Sequence, residues 1–384
     1  MRALIIGSGI AGLTTAHALR RCGIDVALYE RAPALSEVGA GIGLWANALR
    51  AFDHLQLGEA VRSAAQAMSV SEIRLSAGHR RVATLRAAEL NSLANYTPAM
   101  AIIHRAELVG ILAELLPSDV ARYGHECERI EQTECGVKAY FTNGRSDQAE
   151  LLIAADGIRS IVRTALFGEQ SPRYAGYTCW RGVCPRPAMI PAGYVGEWWG
   201  RGQRFGITTI PRDRSYWFAT KNSPAGQHSD DERATAASLF RHFADPVCEL
   251  IESTPRAGVL RNDIIDRPPS PNWVLGRAVL IGDAAHPTTP NLGQGGCMAI
   301  EDAVVLAQCL KQESSVESAL ANFVRRRYAR VRSIVQKSYR TGKMGQCEGA
   351  IGCWFRDNLV RLALPILRVR SLPAYSTYDV GPVS

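Results

Sequence analysis

Residues 4–13, LIIGSGIAGL, decide the fold of this chain. A short apolar run leads into Gly7, Gly9 and Gly12, which have the spacing G-x-G-x-x-G. This spacing is typical of a strand that turns tightly into a helix, because the second glycine lets the backbone approach a pyrophosphate and the third lets the helix pack closely on the strand. The backbone N–H groups of the first helical turn then face the negative charge of the nucleotide. The stretch therefore predicts the first βα unit of a nucleotide-binding fold.

An acidic residue, Glu30, ends the next apolar segment, GIDVALYE. A carboxylate at this position accepts hydrogen bonds from the ribose hydroxyls of an adenosine. It disfavours a 2′-phosphate, because two negative charges would lie side by side. The first unit is therefore predicted to hold the adenosine half of FAD or NAD rather than that of NADP.

The composition is that of an ordinary globular protein. The chain has 384 residues, a formal net charge of +8, and ten scattered cysteines without a C-x-x-C pair. No apolar run approaches the roughly 20 residues of a membrane-spanning helix. We therefore expect a cytoplasmic protein with reduced thiols, no metal site and no stable membrane insertion.

The basic segment FVRRRYARVRSIVQKSYR, residues 323–340, raises the question of a nucleic-acid partner. No zinc-finger, RNA-recognition or basic-zipper signature accompanies it. We interpret the segment as a helix with a solvated basic face and expect no nucleic-acid partner.

Two further motifs follow apolar strands: LLIAADGIRSIVR at 151–163, and VLIGDAAHPTTPNLGQGG at 279–296. In this order, the three motifs resemble those of the class A FAD-dependent aromatic monooxygenases, which have the para-hydroxybenzoate hydroxylase fold. The resemblance covers about residues 1–340. It extends to the salicylate and urate hydroxylase-like branches and to the zeaxanthin epoxidase-like branch.

The resemblance implies a set of FAD contacts. It places Glu30 and Arg31 at the adenosine, Asp283 at a ribityl hydroxyl, and the amides of residues 293–296 at the pyrimidine edge of the flavin. His286, beside Asp283, is interpreted as structural rather than as a base. The full set of expected cofactor-binding residues is Gly7, Gly9, Gly12, Glu30, Arg31, Arg105, Cys127, Asp156, Asp283, Gly293, Gly295 and Gly296.

The resemblance also implies a reaction. NADH or NADPH reduces the FAD, O₂ adds to give a C4a-hydroperoxyflavin, and one oxygen atom is transferred to a small aromatic or heteroaromatic substrate. Three alternatives stay open: epoxidation of a lipophilic isoprenoid alkene, a flavin-binding protein that has lost oxygenation, and an NAD-dependent dehydrogenase built on the first motif alone. The motif at 279–296 argues against the dehydrogenase.

The substrate wall is expected on aromatic-rich alternating runs between residues 174 and 221. Alternation sends about half of their side chains towards the flavin. We predict Arg204 and Tyr216 as catalytic residues, since a cation among aromatics suits a carboxylate, phenolate or enolate. Tyr216 is expected to donate to a substrate oxygen, with simple packing as the alternative. The alternative for Arg204 is a structural ion pair. Asn291 stands where urate-hydroxylating relatives carry an acid, which weakens any assignment of that substrate.

The expected fold class is α/β, with a Rossmann-like FAD-binding domain interrupted by an antiparallel-sheet substrate domain and followed by C-terminal helices. We assign 1–70, 100–170 and 258–340 to the FAD-binding domain, 71–99 and 171–257 to the substrate domain, and 341–384 to a C-terminal helical segment. Residues 354–372, WFRDNLVRLALPILRVRSL, are expected to pack over the substrate cavity or at a subunit interface, with a membrane surface as the alternative. The protein is expected to be a monomer or a homodimer.

Overall fold

The computed structural model describes residues 1–35, 40–76, 81–133, 136–371 and 377–383, with side chains described through residue 362 and again from residue 377. The strands are β1 (Arg2–Ile6), β2 (Asp25–Tyr29), β3 (Gly41–Trp45), β4 (Gln66–Ala67), β5 (Val70–Leu75), β6 (Arg81–Arg86), β7 (Met100–His104), β8 (Ala121–Arg122), β9 (Cys127–Thr133), β10 (Gly136–Phe141), β11 (Ser146–Ala149), β12 (Leu151–Ala154), β13 (Arg173–Pro185), β14 (Tyr194–Trp199), β15 (Gln203–Ile210), β16 (Arg214–Asn222), β17 (Leu260–Asp266), β18 (Val274–Leu275) and β19 (Ala278–Leu280). The helices are α1 (Ile10–Arg21), α2 (Ala46–His54), α3 (Gly58–Ser63), α4 (Ala87–Ala94), α5 (Arg105–Glu114), α6 (Ile161–Phe167), α7 (Glu232–Phe240), α8 (Val247–Glu252), α9 (Gly295–Gln312), α10 (Val316–Gly345) and α11 (Ala350–Ser371).

A six-stranded sheet in the order β18-β19-β12-β1-β2-β8 forms the nucleotide-binding layer. All pairings except that of β18 with β19 are parallel, and β1 lies between β12 and β2. The strands β1 and β12 are apolar because both faces of a parallel sheet are covered by other elements. Helices α1 and α9 pack together in this core. The predicted Rossmann-like unit is confirmed.

A seven-stranded sheet in the order β17-β13-β16-β15-β14-β5-β6 forms the second layer. It is antiparallel except where β14 and β5 run in parallel, so it is a mixed sheet. Strand β17 pairs with β13 in this sheet, although its residues fall inside the expected range 258–340 of the other domain.

Alternation along these strands separates the aromatic side chains. Trp198, Phe205 and Trp217 pack into a core with helices α7 and α8. Arg204 and Tyr216 occupy the opposite face, because residues of opposite parity on paired strands point to opposite sides of a sheet. This second face meets β3, a strand of the small sheet β3-β7-β4, where Tyr216 contacts Gly41.

A buried ion-pair network joins the segment 279–296 to α9 and α10. Arg327 contacts Glu301 at 2.6 Å and donates from Nε to Asp302 Oδ1 at 2.7 Å. His286 Nε2 lies 2.6 Å from Asp302 Oδ2, in agreement with a structural role for this histidine. Arg330 donates to Glu301 at 2.7 Å. Residues 323–340 lie on α10, and Arg325, Arg332 and Arg340 are exposed, as a solvated basic face requires. Arg327 is the exception and is buried, because two acids of α9 neutralise it.

The network lowers the pKa of its two carboxyls. Burial acts to raise the pKa of Asp302, but His286 and Arg327 more than offset this effect, so the pKa lies well below its ordinary value. Burial likewise acts on Glu301, and the charges of Arg327 and Arg330 lower its pKa overall. Both residues are thus held as buried carboxylates.

Three other expectations concern absences. In the described part of the chain, nine cysteines are free thiols, while Cys135 lies outside it. Within the same residues, no group of three or more His, Cys, Asp or Glu side chains is arranged to hold a metal ion. None of the described helices is both long enough and apolar enough to cross a membrane. Residues 372–376 and 384 of the expected C-terminal segment lie outside the description.

We predict that Arg327→Met lowers the free energy of unfolding by about 3–5 kcal/mol, because it leaves two buried carboxylates without their cation. Urea unfolding at pH 7 measures the loss. Arg325→Met is the matched control, since Arg325 lies exposed on the same helix. Because the folded-state pKa values of Glu301 and Asp302 are lowered, their stabilisation is present above about pH 4 and is lost as the pH falls further. The difference between the wild type and Arg327→Met should therefore narrow in acid. Equal urea midpoints for the wild type and Arg327→Met at pH 7 would show that the network contributes nothing to the free energy of unfolding.

Candidate active site

A cavity of about 1160 Å³ lies at the carboxyl ends of β1, β2 and β12. In open α/β sheets ligands bind in this crevice. The far wall includes Arg181 of β13 and the segment Arg261–Ile265 of β17. Eight of the predicted cofactor-binding residues line the cavity: Gly7, Gly9, Glu30, Arg31, Arg105, Cys127, Asp156 and Asp283.

The glycine turn forms the floor of the cavity. Gly7 has a φ of +103°, and a Cβ there would stand 2.5 Å from the carbonyl oxygen of Ala155. A Cβ at Gly12 would stand 1.9 Å from the carbonyl oxygen of Gly7, so this position requires glycine for close packing rather than for ligand contact. At Gly9 a Cβ would meet nothing within 4 Å, because this residue faces the open cavity. Gly7 and Gly12 thus permit the turn and its packing, and Gly9 leaves room for a pyrophosphate.

Glu30 is fixed beside this turn. Its Oε2 accepts hydrogen bonds from Ser8 N at 2.8 Å and Ser8 Oγ at 3.1 Å, and its Oε1 accepts from Ala32 N at 3.0 Å. The adjacent Arg31 is exposed and also lines the cavity. The carboxylate is therefore pre-oriented at the position expected for an adenosine ribose.

Asp156 offers an unused acceptor. Its Oδ2 accepts from Val162 N at 3.3 Å, whereas its buried Oδ1 has no hydrogen-bond partner in the described part of the chain. Burial raises the pKa of its carboxyl. Burial also raises the pKa of the neighbouring Cys127 thiol to about 12, so that the thiol stays protonated. A buried acceptor without a donor is costly, and a bound hydroxyl would satisfy it.

Asp283 stands at the other end of the cavity. Its side chain is exposed to the cavity, and the surrounding protein raises the pKa of its carboxyl, an increase that His286 and Arg105 partly offset. Arg105 lines the same cavity, and its positive charge acts to lower the pKa of the Asp283 carboxyl. Carboxylates at Asp156 and Asp283 therefore fit the hydroxyl donors of FAD.

The predicted residues Gly293, Gly295 and Gly296 do not line the cavity wall. They form the turn into α9, where Gly293 has a φ of +61° and a Cβ at Gly296 would stand 2.8 Å from Ile42 Cδ1. Two buried donors lie at this turn, Trp45 Nε1 and Gln294 Nε2, and neither has a partner within the described residues.

Unpaired donors at a helix N-terminus fit the carbonyl oxygens of a flavin ring. Trp45 and Gln294 were not predicted from the sequence, although Gln294 lies inside the quoted motif. When bound, FAD supplies the redox chemistry, and the chain holds and orients it.

Arg204 is buried, at 4% exposure, and is held from three sides. It donates from Nε to Gln346 Oε1 at 2.9 Å, from Nη1 to Glu197 Oε1 at 3.1 Å, and from Nη2 to Asn291 Oδ1 at 2.6 Å. Glu197 is half-buried, so the pair is partly shielded from solvent. The arginine thus carries a charge that the chain already neutralises.

Tyr216 lies elsewhere on the same face of the sheet. Its ring packs against Gly41, where a Cβ would stand 2.7 Å from Tyr216 Cδ1. Burial raises the pKa of its hydroxyl to about 12, an effect that Arg181 partly offsets. In the register of β15 and β16, Tyr216 opposes Thr208 and Arg204 opposes Thr220. The two predicted catalytic residues therefore lie on the same face of the sheet, but they are not cross-strand partners.

Asn291 is fixed by its own network. Its Nδ2 lies within hydrogen-bond distance of Tyr177 OH at 3.0 Å, Thr289 Oγ1 at 2.9 Å and Ser338 O at 3.1 Å. These acceptors turn Oδ1 towards Arg204, so the arginine meets a neutral carbonyl where an acid would bring a second negative charge.

Gln346 locks the other side of the arginine. Besides Arg204, its Oε1 accepts from Thr220 Oγ1 at 2.9 Å, and its Nε2 donates to Asn222 Oδ1 at 2.9 Å. Sequence reasoning missed Gln346 and Glu197. No local pattern marks Gln346, because it lies 142 residues from Arg204 along the chain. Glu197 lies only 7 residues away on the paired strand β14, so the pairing of β14 with β15 is the signal that could have identified it.

Residues 1–338 match the family model described as FAD binding domain. The chain belongs to the class A FAD-dependent aromatic monooxygenases. It is 43% identical over 360 residues to the aurachin C monooxygenase/isomerase of Stigmatella aurantiaca, covering 94% of this chain and 93% of the relative. It is 35% identical over 372 residues to the 2-heptyl-3-hydroxy-4(1H)-quinolone synthase of Pseudomonas aeruginosa, covering 94% of each.

A solved structure is similar over the whole chain. The crystal structure of Klebsiella pneumoniae HpxO complexed with FAD and uric acid has a TM-score of 0.91 and 30% identity, and the alignment covers 100% of this chain and 98% of that chain. These comparisons confirm the predicted fold, the FAD cofactor and the class of flavin-dependent hydroxylases acting on aromatic or heteroaromatic rings. NAD(P)H is the co-substrate typical of this family.

We predict that Asp283→Ala raises the Kd for FAD about 10- to 100-fold, because the variant loses a hydrogen bond between the cofactor and a charged group. The fold should stay intact. Quenching of flavin fluorescence on titration into the apoprotein measures the Kd, and thermal melting of the apoprotein reports the fold. Asp119→Ala, at an exposed residue outside the cavity, is the control. An unchanged Kd in Asp283→Ala would remove Asp283 from the cofactor site.

Proposed function

We propose that this chain uses NADH or NADPH and O₂ to hydroxylate a neutral, quinolone-type heteroaromatic ring. The observation that carries the proposal is the environment of Arg204, whose charge is paired with Glu197 at 3.1 Å and whose other two partners, Asn291 and Gln346, are neutral amides. An anionic substrate would have to compete with Glu197 for the guanidinium. A ring carbonyl only needs a hydrogen-bond donor, which Arg204 provides at lower desolvation cost.

The relatives support this ring class. The Pseudomonas aeruginosa protein is named for a 4(1H)-quinolone, and both it and the aurachin C enzyme span nearly all of this chain. A quinolone carries a ring carbonyl and is neutral near pH 7, which suits an arginine whose charge is already balanced. Aromatic hydroxylation is therefore our proposal over epoxidation of an isoprenoid alkene.

A second candidate is an anionic purine such as urate. It is favoured by the overall similarity to the HpxO complex with uric acid, and by curated urate hydroxylases at 34% identity. The carboxylate of Glu197 argues against it, because it balances the charge of Arg204 and leaves no net positive charge for the anion.

The proposed roles follow from position. Arg204 donates to the substrate carbonyl, and Glu197, Asn291 and Gln346 hold its guanidinium plane. Tyr216, with a protonated hydroxyl, forms the edge of the substrate wall near Arg181. Eleven of the twelve expected cofactor-binding residues hold FAD, eight through the cavity wall and three through the turn into α9, while Gly12 lets α1 pack against the glycine turn. We propose that the enzyme is cytoplasmic. We also propose that the last segment of the FAD-binding domain begins after β17 instead of at residue 258, because β17 pairs with β13 of the substrate sheet.

The decisive experiment is a substrate screen for stimulation of NAD(P)H oxidation, with mass spectrometry of products formed under ¹⁸O₂. We expect 4(1H)-quinolones to stimulate oxidation and to gain one labelled oxygen atom. Urate and 3-amino-4-hydroxybenzoate serve as the comparison substrates. Labelled product from urate but not from quinolones would overturn the ring class, and the absence of labelled product across the panel would overturn oxygenation.

We predict that Arg204→Ala raises KM about 10-fold or more and leaves the FAD content unchanged, because the variant loses a hydrogen bond to the substrate while the cofactor cavity lies elsewhere. Steady-state kinetics and the flavin absorbance of the purified protein measure the two quantities. The companion variant Glu197→Gln leaves the guanidinium charge unpaired and should shift relative affinity towards anionic rings. If KM is unchanged in Arg204→Ala, the arginine is purely structural.

A further inference from the structure

Helix α11 carries an exposed apolar stripe. Five large apolar side chains, between 56% and 75% exposed, lie on its described part: Ile351, Trp354, Phe355, Leu359 and Leu362. Their spacing of one, three or four residues puts them on one side of the helix. Elsewhere in the described chain, exposed apolar residues of this size are scattered singly. A continuous apolar stripe of this kind marks an interaction surface.

The opposite side of the helix is anchored, which fixes the stripe outward. Cys353, Arg356 and Val360 are buried. Arg356 donates from Nη1 to the carbonyl oxygens of Gly200 at 2.9 Å and Gly345 at 3.2 Å. On the exposed side, the rings of Trp354 and Phe355 meet edge to face at 5.0 Å. The stripe is therefore presented by a helix that the substrate sheet and α10 hold in place.

The charge of α11 indicates which kind of partner binds the apolar stripe. Its sequence contains four arginines and one acid, Asp357, which pairs with the buried Arg356. Arg361 is exposed, and Arg368 and Arg370 follow along the helix without another acid. A second copy of the chain docked on this stripe would bring helices of the same positive sign together. An anionic phospholipid surface instead complements the apolar stripe, the exposed Arg361 and the excess of basic over acidic residues in the sequence of the helix.

We propose that α11 docks this enzyme on anionic phospholipid membranes, lying in the interface with Trp354, Phe355, Leu359 and Leu362 towards the acyl chains. Tryptophan, phenylalanine and leucine on one side of a helix that also carries arginine are typical of helices that bind in the interfacial plane. Among the described residues, no helix is both long enough and apolar enough to cross a membrane, so we propose binding in the interfacial plane. Docking is peripheral, reversible and independent of which ring the site oxidises.

Sedimentation of the FAD-loaded enzyme with vesicles tests this proposal. Vesicles of phosphatidylcholine with about 30% phosphatidylglycerol should bind the enzyme at least about 10-fold more tightly than pure phosphatidylcholine vesicles, and added salt should weaken the binding. The double variant Trp354→Ser/Phe355→Ser should lose about 10-fold or more of this affinity. Met189→Ser removes a comparably exposed apolar side chain outside the helix and should bind like the wild type. FAD content and thermal melting report that each variant is folded.

Two further measurements distinguish membrane docking from a contact with a second copy of the chain. Arg361→Glu, which leaves the apolar stripe intact, should weaken binding to the anionic vesicles and leave binding to pure phosphatidylcholine unchanged. Equal wild-type binding to both vesicle types, or wild-type affinity in the double variant, overturns the proposal. A wild-type dimer in sedimentation equilibrium that the double variant dissolves, without vesicle binding, also overturns it and assigns the stripe to a subunit contact.

Discussion

The backbone of α1 passes so close to the glycine turn that a Cβ on residue 12 would stand 1.9 Å from the carbonyl oxygen of Gly7. This approach sets the position of the helix N-terminus over the carboxyl end of β1, and so aligns Gly9, Glu30 and Asp156 around one cavity. The segment 279–296 completes the cavity from the other side. Its position is fixed in turn by His286 and the buried network of Arg327, Glu301 and Asp302. The candidate cofactor cavity is thus formed by close backbone packing at one end and by a buried ion-pair network at the other.

The cofactor half of the site was predictable because its determinants are local. Each motif joins a strand to a turn, so Gly7, Asp156 and Asp283 are placed by their immediate neighbours in the sequence. The parallel strands then bring the three turns to one edge. The same reasoning predicted the strands of the large sheet and the division of its aromatic residues by alternation. It did not predict that β5 would join β14 in parallel, because strand pairing between distant segments leaves no local pattern.

The substrate half depends on contacts between distant parts of the chain. Arg204 was predicted as a catalytic residue from its aromatic surroundings. Its interpretation changed because Gln346 and Glu197 hold its guanidinium group and Glu197 balances its charge. Gln346 caps α10 in the segment that resembles the family least, so neither motif nor spacing identified it. Arg327 was misjudged for a similar reason. A run of arginines is typical of a solvated helix face, and only the packing of α9 against α10 shows that one of them neutralises two acids.

We propose that Arg204, whose charge Glu197 balances, selects a neutral ring. The pH dependence of binding tests this selection, for a 3-hydroxy-4(1H)-quinolone whose ring ionises within the range in which the protein is folded. Binding is followed through the absorbance of the bound flavin. We expect Kd to rise as the ligand becomes an anion, because the anion meets Glu197 as well as Arg204. A Kd that falls on ionisation of the ligand would contradict it and would show that Arg204 acts as an open anion site.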